Sequence, residues 1–365
     1  MKTLLFTLEF PPFQGGIANY YGNLANYWPI NEQIIIQDNN QGELLAPRKF
    51  LTWWPALAVL NRKTKKAVIN FVLVGQILPL GTVTWLLSWF SSWQYGVFLH
   101  GMDFSFALKS RRKRILAGLI LGRAKKIICA NTYVAKKVAE LFPHSISKTV
   151  IINPGIPASI PEVDARELAE LQTRYHLAGK TILFSLGRLV KRKGVDRTIK
   201  ALANLAPTVM DKLIYFIAGT GPQEEYLKNL VPHRLTEKMF FLGSLSEREK
   251  WLWLKACDIF VMPSREIAGD FEGFGIVYLE ANLSGKPVIA GAAGGVSDAV
   301  EDGQTGILVD PEDVNSIQQG IMKLVNNPEL RNFLGQQGQS RVLKEFNWEQ
   351  QIIKLVKSLN NDSKI

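Results

Sequence analysis

The stretch that decides the fold is Asn70-Phe71-Val72-Leu73-Val74-Gly75-Gln76-Ile77-Leu78-Pro79-Leu80-Gly81, inside a run from Ala67 to Met102 that holds no Asp, Glu, Lys or Arg. A charge-free run of that length raises the question of a transmembrane helix. Gly75, Pro79 and Gly81 divide it, and no piece between these breakers makes a clean span, although membrane helices do tolerate Pro and Gly. The pattern predicts instead a buried strand at Phe71–Val74, a loop, a helix over Thr82–Phe90 and a strand at Tyr95–Leu99. Trp85, Trp89 and Trp93 recur every fourth residue and would share one helix face if that helix ran far enough.

Working outward, the same rhythm of short β-branched runs and helical patterns continues in both directions. Strands are expected near residues 3–8, 33–37, 70–74, 95–99, 126–130 and 149–153, then near 181–186, 213–218, 239–242, 259–262, 287–290 and 306–309. Six and six, separated by helix-length segments, predict an α/β protein of two doubly wound, Rossmann-like parallel sheets. The 365 residues exceed one comfortable core. The Pro-rich segment Asn153–Pro161 marks the boundary, giving domains 1–158 and 159–344, with a last helix at about 345–365 able to pack back on the first. Ligands in such sheets bind beyond the carboxyl ends of the strands, so two sheets facing a central crevice direct attention to the loops there.

Composition narrows the class. Hydrophobic residues make up 47% and charged residues 21%, so the chain is globular rather than disordered. Cys129 and Cys257 cannot form a disulfide framework or a four-thiolate zinc site and suit a reducing cytoplasm. The N-terminal apolar run is too short for a signal peptide and meets Glu9 early. The net charge of +11 is uneven: residues 1–158 hold 18 Lys and Arg against 6 Asp and Glu, while residues 159–365 hold 25 against 26. The first half therefore favours an anionic partner.

Four loops carry candidate chemistry. In Glu9–Asn19, Gly15 and Gly16 precede a helical pattern, where backbone N–H groups and the helix dipole could hold a phosphate; a plain Gly-rich turn accounts for them equally, and neither dinucleotide nor P-loop spacing is present. His100 ends an apolar strand before Gly101 and should project beyond the sheet, as a catalytic or a structural histidine. Arg188 and Lys193 follow the first strand of the second half and suit a diphosphate, whereas Lys191 and Arg192 read as solvated. In Phe271–Ala281, a helix beginning near Phe274 would put Glu272 before its N-terminus and Glu280 within it. Eight residues at about 100° each make two turns plus about 80°, so both carboxylates could flank one pocket. The bland alternative is an amphipathic helix with solvated carboxylates. Gly285–Gly295 adds a strand and a second Gly-rich turn as a wall.

Together these segments resemble retaining glycosyltransferase family 4, which has the GT-B fold. Glu272 and Glu280 match its E-x7-E pattern. The resemblance runs through Pro11–Gly16, His100-Gly101, Asn131, Asn153–Ile156, Gly187-Arg188, Lys193-Gly194, Ala218–Pro222 and Thr305-Gly306. Phe10–Ile17 and Glu272–Glu280 look most like bacterial phosphatidylinositol mannosyltransferases. The resemblance implies a nucleoside diphosphate sugar donor, with Gly16, Arg188 and Lys193 on the diphosphate and Gly15 and Gly219 beside it. It places Glu272 on sugar hydroxyls, Glu280 on the ribose, and the backbone of Phe274, Gly275 and Ile276 on sugar and phosphate. Gly243 and Leu245 would border the base, and His100 would face the sugar. It implies no metal or other cofactor, in keeping with the lack of Asp-x-Asp, and an acceptor bound chiefly by the N-terminal domain.

The expected function is transfer of a hexose, mannose from GDP-mannose being favoured, to a glycan or glycolipid acceptor of the cell envelope. A UDP-sugar donor with a soluble or polysaccharide acceptor, and a nucleotide-sugar epimerase of related fold, are the alternatives. The clusters Arg62–Lys66, Lys109–Arg114 and Lys125-Lys126 could bring a cytoplasmic enzyme to the inner face of an anionic membrane, or simply be a solvated basic face. Nucleic acid would explain the charge but leave Glu272 and Glu280 unexplained.

Overall fold

The structure is a computed structural model and describes residues 1–13, 15–47, 52–157 and 160–360. It divides into two compact units, Met1–Gly155 with Trp348–Ile365, and Ile156–Asn347. The boundaries fall three residues from those expected at each crossing. Ala158 and Ser159 of the expected linker, and residues 361–365 of the expected last helix, lie outside the described residues.

The first unit holds β1 (Lys2–Phe6), β2 (Gln33–Gln37), β3 (Phe71–Val74), β4 (Gln94–Leu99), β5 (Lys126–Cys129) and β6 (Thr149–Ile151). The second holds β7 (Thr181–Leu186), β8 (Leu213–Ala218), β9 (Met239–Gly243), β10 (Ile259–Met262), β11 (Val288–Gly291) and β12 (Gly306–Val309). The spatial orders are β2-β1-β3-β4-β5-β6 and β12-β11-β10-β7-β8-β9, and every pairing is parallel. Parallel sheets covered by helices on both faces bury whole strands, which is why β3, β8, β10 and β11 are unbroken apolar runs without alternation.

Most of the charge-free stretch is buried by protein, in its two strands and the first turns of its helix. It forms β3, a loop, the helix Leu80–Ser88 and β4, and no helix among the described residues is long and apolar enough to cross a membrane. The helix stops two residues short of its expected end. Arg123 donates from Nη2 to the Ser88 carbonyl (2.8 Å) and from Nε to its hydroxyl (2.7 Å), occupying the group a further turn would need. The three tryptophans therefore do not share a helix face: Trp93 is buried, while Trp89 is 59% exposed beneath the Arg123 guanidinium.

The chain returns to the first unit through the helix Trp348–Asn360, whose Trp348, Ile352, Leu355 and Leu359 join Tyr20, Leu24 and Phe98 in one core. A Cβ at Gly155 would come within 2.7 Å of the Trp348 backbone nitrogen, so glycine is what lets the two crossings lie side by side. Trp348→Ala removes the largest fully buried side chain and is expected to destabilise the first unit by about 3–5 kcal/mol. Urea denaturation should resolve this as an earlier transition for that unit; an unchanged midpoint would contradict the packing described.

Candidate functional site

Each sheet reverses its strand order once, between β1 and β3 in the first unit and between β7 and β10 in the second. Loops leaving the carboxyl ends there diverge and open a crevice at the sheet edge. In the second unit these loops are Gly187–Gly194 after β7 and Pro263–Gly275 after β10. They are tied together. The Arg265 N–H donates to the Arg192 carbonyl (2.8 Å), and the buried Arg265 guanidinium grips Asp196 at 3.0 and 3.1 Å.

Between the loops sits Glu272, only 8% exposed. One carboxylate oxygen, Oε2, meets Lys193 Nζ at 2.6 Å and Arg192 Nη1 at 2.9 Å, and Arg192 Nε pairs with Asp270 at 3.0 Å. Burial pushes the Glu272 carboxyl upward, but Lys193 and Arg192 outweigh it and hold the group below the usual carboxylate range. Its backbone carbonyl accepts from Gly295 N–H (2.9 Å), so the Gly-rich turn after β11 does brace this residue. Arg192, expected to be solvated, is thus part of the cluster. After four residues (Gly187–Val190) beyond the strand, the loop coils into one short turn (Lys191–Lys193) that leaves Lys191 outward and turns the next two side chains to Glu272. Arg188 is exposed and has no ion pair among the described residues, so one of the two expected diphosphate cations is open to a ligand and the other is engaged.

The helix after Glu272 begins at Ile276, not near Phe274. Gly275 delays it: its backbone is left-handed (φ 79°), and a Cβ there would lie 2.4 Å from the Tyr278 ring. Tyr278 in turn donates to the Met262 carbonyl at 2.7 Å. Phe274 is a core residue packed on Phe346. The N–H groups of Ile276 and Val277 lack intrahelical acceptors, as at any helix start, while Tyr278 N–H donates to the Gly275 carbonyl (2.9 Å). Glu280 pairs with Lys250 Nζ at 2.6 Å; burial raises its carboxyl above the ordinary value, with Lys250 opposing. At the ends of β8 and β9, Gly219 N–H donates to the Gly243 carbonyl (2.7 Å). A side chain at Gly219 would strike the Gly187 carbonyl at 2.1 Å, with φ at 120°, so these glycines pave the edge with bare backbone. Leu245 lines a separate cavity of about 470 Å³ with Leu242, Leu252 and Trp253. Among the described residues no three His, Cys, Asp or Glu side chains converge to hold a metal ion.

In the first unit the helix Gly16–Asn26 begins directly after Gly15. A Cβ on Gly16 would meet nothing within 4 Å, so packing does not require glycine there. Gln14 lies outside the described residues. His100 follows β4 and its Nε2 lies 2.8 Å from the Tyr21 hydroxyl. That hydroxyl has one proton and gives it to the Gly75 carbonyl at 2.6 Å. It must therefore accept from His100, which fixes the Nε2–H tautomer and leaves Nδ1 as an acceptor. Burial pushes the imidazole down to about 4, so it is neutral near pH 7. Asp103 Oδ1 accepts from the N–H groups of His100 and Gly101, both at 3.0 Å, holding the turn. Burial raises Asp103 to about 6 against the pull of those bonds. Sequence reasoning missed Asp103 and Tyr21. The His-Gly-x-Asp spacing could have suggested the first, but nothing in the sequence places Tyr21 beside His100.

Residues 171–341 match the family described as glycosyl transferases group 1. The GDP-mannose-dependent alpha-(1-6)-phosphatidylinositol monomannoside mannosyltransferase of Mycolicibacterium smegmatis is 27% identical over 98% of both chains. The chain is a glycosyltransferase. A second relative, the GDP-mannose-dependent monoacylated alpha-(1-6)-phosphatidylinositol monomannoside mannosyltransferase of Corynebacterium glutamicum, is 27% identical over 95% of each chain. Among solved structures, Anabaena HepE in complex with UDP superimposes with a TM-score of 0.81 at 18% identity, covering 99% of this chain and 100% of that one. Sucrose-phosphate synthase of Thermosynechococcus elongatus gives 0.77 at 19% identity, covering 100% and 99%. The glycosyltransferase has the GT-B fold, as its sequence motifs imply.

Two expectations follow for this glycosyltransferase. Arg192→Ala leaves Glu272 with one cation and should lower kcat/KM by about tenfold, the loss of a charge-assisted bond, while Lys191→Ala stays near wild type; equal effects of the two would deny Arg192 its place. The second concerns pH. Over about pH 4 to 6.5 the unfolded chain protonates His100 and the folded one does not, so this group makes stability rise with pH. Asp103 is protonated when folded and ionised when unfolded between about 3.8 and 6, so it makes stability fall over nearly the same range. Asp103→Asn removes the falling arm alone. Its urea midpoint relative to wild type should climb from pH 4 to pH 6, and a constant difference would refute the assignment.

Proposed function

We propose that the glycosyltransferase moves mannose from GDP-mannose to a glycolipid or glycan acceptor, keeping the anomeric configuration. The observation that carries this reading is the buried, ionised Glu272 held by Lys193 and Arg192 where β7 and β10 diverge. An ionised carboxylate accepts hydrogen bonds from sugar hydroxyls, and the cations beside it suit the diphosphate. Arg188, exposed and unpaired among the described residues, supplies two-oxygen recognition of phosphate. Glu280 takes the ribose diol, and the N–H groups at the start of the helix Ile276–Leu283 add fixed partial charge. As the bond from the anomeric carbon to the diphosphate oxygen breaks, negative charge grows on that oxygen. In this reading Arg188, Lys193 and the helix dipole receive it, as fixed charges that need little reorganisation. The acceptor oxygen bonds to the anomeric carbon on the face the diphosphate leaves, and the acceptor proton passes to the departing oxygen. The roles of cation and dipole require no bound metal in this reading.

Similarity over nearly the whole chain to the two GDP-mannose-dependent enzymes supports mannose, guanosine and a lipid-linked acceptor. The first unit carries the acceptor, and its charge fits a membrane-borne one. Residues 1–155 with 348–365 hold 21 Lys and Arg against 8 Asp and Glu, while 156–347 hold 22 against 24. On the helix Arg111–Arg123, exposed Ile115 and Leu119 lie beside exposed Arg111, Arg112 and Arg114. Apolar and basic groups on one exposed face are how a cytoplasmic protein rests on an anionic leaflet.

A thermal-shift comparison of GDP, GDP-mannose, UDP and UDP-glucose tests the donor. GDP compounds should raise the melting temperature most, and stabilisation by UDP compounds alone would reassign the base. Glu272→Gln should cut kcat about 100-fold, the scale on which preorganised polar contacts act, while GDP still binds. Wild-type turnover in that variant would remove Glu272 from the site. Product analysis that finds a changed nucleotide sugar without an acceptor would replace transfer by epimerisation. Ile115→Glu/Leu119→Glu should abolish co-sedimentation with anionic vesicles in low salt; undiminished binding would exclude this face.

A further inference from the structure

The turn after β1, at the switch between β1 and β3 in the first unit, carries a carboxylate that none of the roles above uses. Its backbone is held from several sides. The Thr7 hydroxyl donates to the Glu9 carbonyl (3.1 Å) and accepts from the Glu9 N–H (3.3 Å) and from Gln76 Nε2 (3.3 Å). Gln76 Oε1 accepts from the Leu8 N–H at 3.0 Å. Farther along, Asn40 Nδ2 donates to the carbonyls of Phe10 and Pro11, at 3.3 and 3.0 Å. Thr7 and Gln76 are buried, and a Cβ at Gly75 would stand 2.4 Å from the Thr7 hydroxyl oxygen. Polar side chains are buried without loss only when bonded, and here two buried ones and Asn40 all serve one short turn.

The Glu9 side chain is the member left over. It is partly buried, and its carboxylate makes no hydrogen bond or ion pair among the described residues. Burial raises it above the ordinary carboxylate value, with no cation opposing. One oxygen lies 3.8 Å from where a Cβ on Gly15 would stand, at the start of the helix Gly16–Asn26. It is also near Tyr21: burial pushes that hydroxyl well up, and Asp103, Tyr20 and Glu9 push it further. Tyr21 in turn fixes His100, whose Nδ1 faces no donor among the described residues. The edge thus presents two fixed acceptors, a carboxylate and an imidazole nitrogen, without donors of their own. A merely solvated glutamate needs no such bracing, and a helix-capping one would bond the first-turn N–H groups, which Glu9 does not.

We propose that Glu9 binds the acceptor, taking a hydrogen bond from a hydroxyl of a neutral sugar or polyol group and disfavouring an anionic substituent on that group. This rests on the transfer reaction proposed above and adds the chemistry of the acceptor group that enters the first unit. A ligand that satisfies fixed acceptors must bring donors. Adjacent hydroxyls do so, whereas a phosphate brings acceptors and like charge.

Titration of the full chain by saturation-transfer NMR tests this, with methyl α-mannoside as the neutral probe and mannose 6-phosphate as the charged one. Glu9→Ala should weaken methyl α-mannoside about tenfold, the scale of a bond to a charged group. Glu9→Gln keeps an acceptor oxygen without the charge, so it should weaken that probe less and strengthen mannose 6-phosphate. Glu140→Gln, the same charge change at an exposed position elsewhere on the unit, should alter neither. Unchanged binding in Glu9→Ala, unchanged selectivity in Glu9→Gln, or a wild type that binds neither probe overturns the proposal. So does methyl α-mannoside binding lost in Glu272→Gln but kept in Glu9→Ala, which would put the probe at the second unit's carboxylate. A structural role is tested separately. Because folding raises this carboxyl, its charge opposes folding at pH 7, and Glu9→Gln should hold or raise the urea midpoint; a lower midpoint makes Glu9 structural and overturns the proposal. With GDP-mannose as donor and methyl α-mannoside as acceptor, Glu9→Ala should raise the acceptor KM about tenfold and leave the donor KM alone. A raised donor KM instead overturns the assignment. Absence of transfer by the wild type, with the binding pattern as expected, supports Glu9 as a hydroxyl-binding residue and counts against the proposed reaction.

Discussion

A carboxylate can be buried and ionised only if cations are buried with it, and Glu272 shows the consequence. Desolvation alone would neutralise it. Lys193 and Arg192 prevent this, and both come from the turn after β7, a neighbouring strand far off in sequence. The loops after β7 and β10 must therefore hold fixed positions, which the Arg265–Asp196 pair, the Arg265–Arg192 backbone bond and the Gly295 N–H on the Glu272 carbonyl provide. Losing one partner of such a cluster leaves the remaining charge uncompensated, so the network resists piecemeal change. The ionisation of Glu272 and the positions of the Lys193 and Arg192 side chains are thus set by one shared cluster.

The fold was largely legible in the sequence because parallel sheets leave a coarse trace. Strands buried on both faces appear as apolar runs, and all twelve fell within a residue or two of expectation. The charge-free segment around β3 is the extreme case, and its Gly and Pro punctuation separated a buried α/β layer from a membrane span. The bounds of the helix after it, Leu80–Ser88 rather than Thr82–Phe90, were not legible. Its end is decided by Arg123, 35 residues away, bonding to Ser88, and periodicity within the segment carries no information about that contact.

The site was legible in its charged residues and opaque in their pairing. Arg188 stood out because it follows an apolar strand almost at once, Lys193 because it precedes the next helical pattern, and Glu272 because glycines flank Phe274 just beyond it. Arg192 did not, since a basic run looks solvated until the one-turn helix Lys191–Lys193 sorts its side chains. The start of the next helix was misplaced for a similarly local reason: Gly275 is left-handed to clear Tyr278, whose hydroxyl is engaged with the end of β10. Tyr21 left no trace at all, because a tyrosine in an amphipathic helix looks like core whether or not its hydroxyl meets a histidine.

That tyrosine constrains what His100 can do. Its single proton goes to the Gly75 carbonyl, so the imidazole must donate from Nε2 and cannot use that nitrogen as a base. Burial keeps the ring neutral at neutral pH, so it offers no positive charge to a departing diphosphate either. What remains is Nδ1, an acceptor held in place by packing on Tyr20, Tyr21 and Phe98. A fixed neutral acceptor orients a hydroxyl group. His100 can therefore orient a hydroxyl group through Nδ1 but cannot itself stabilise negative charge.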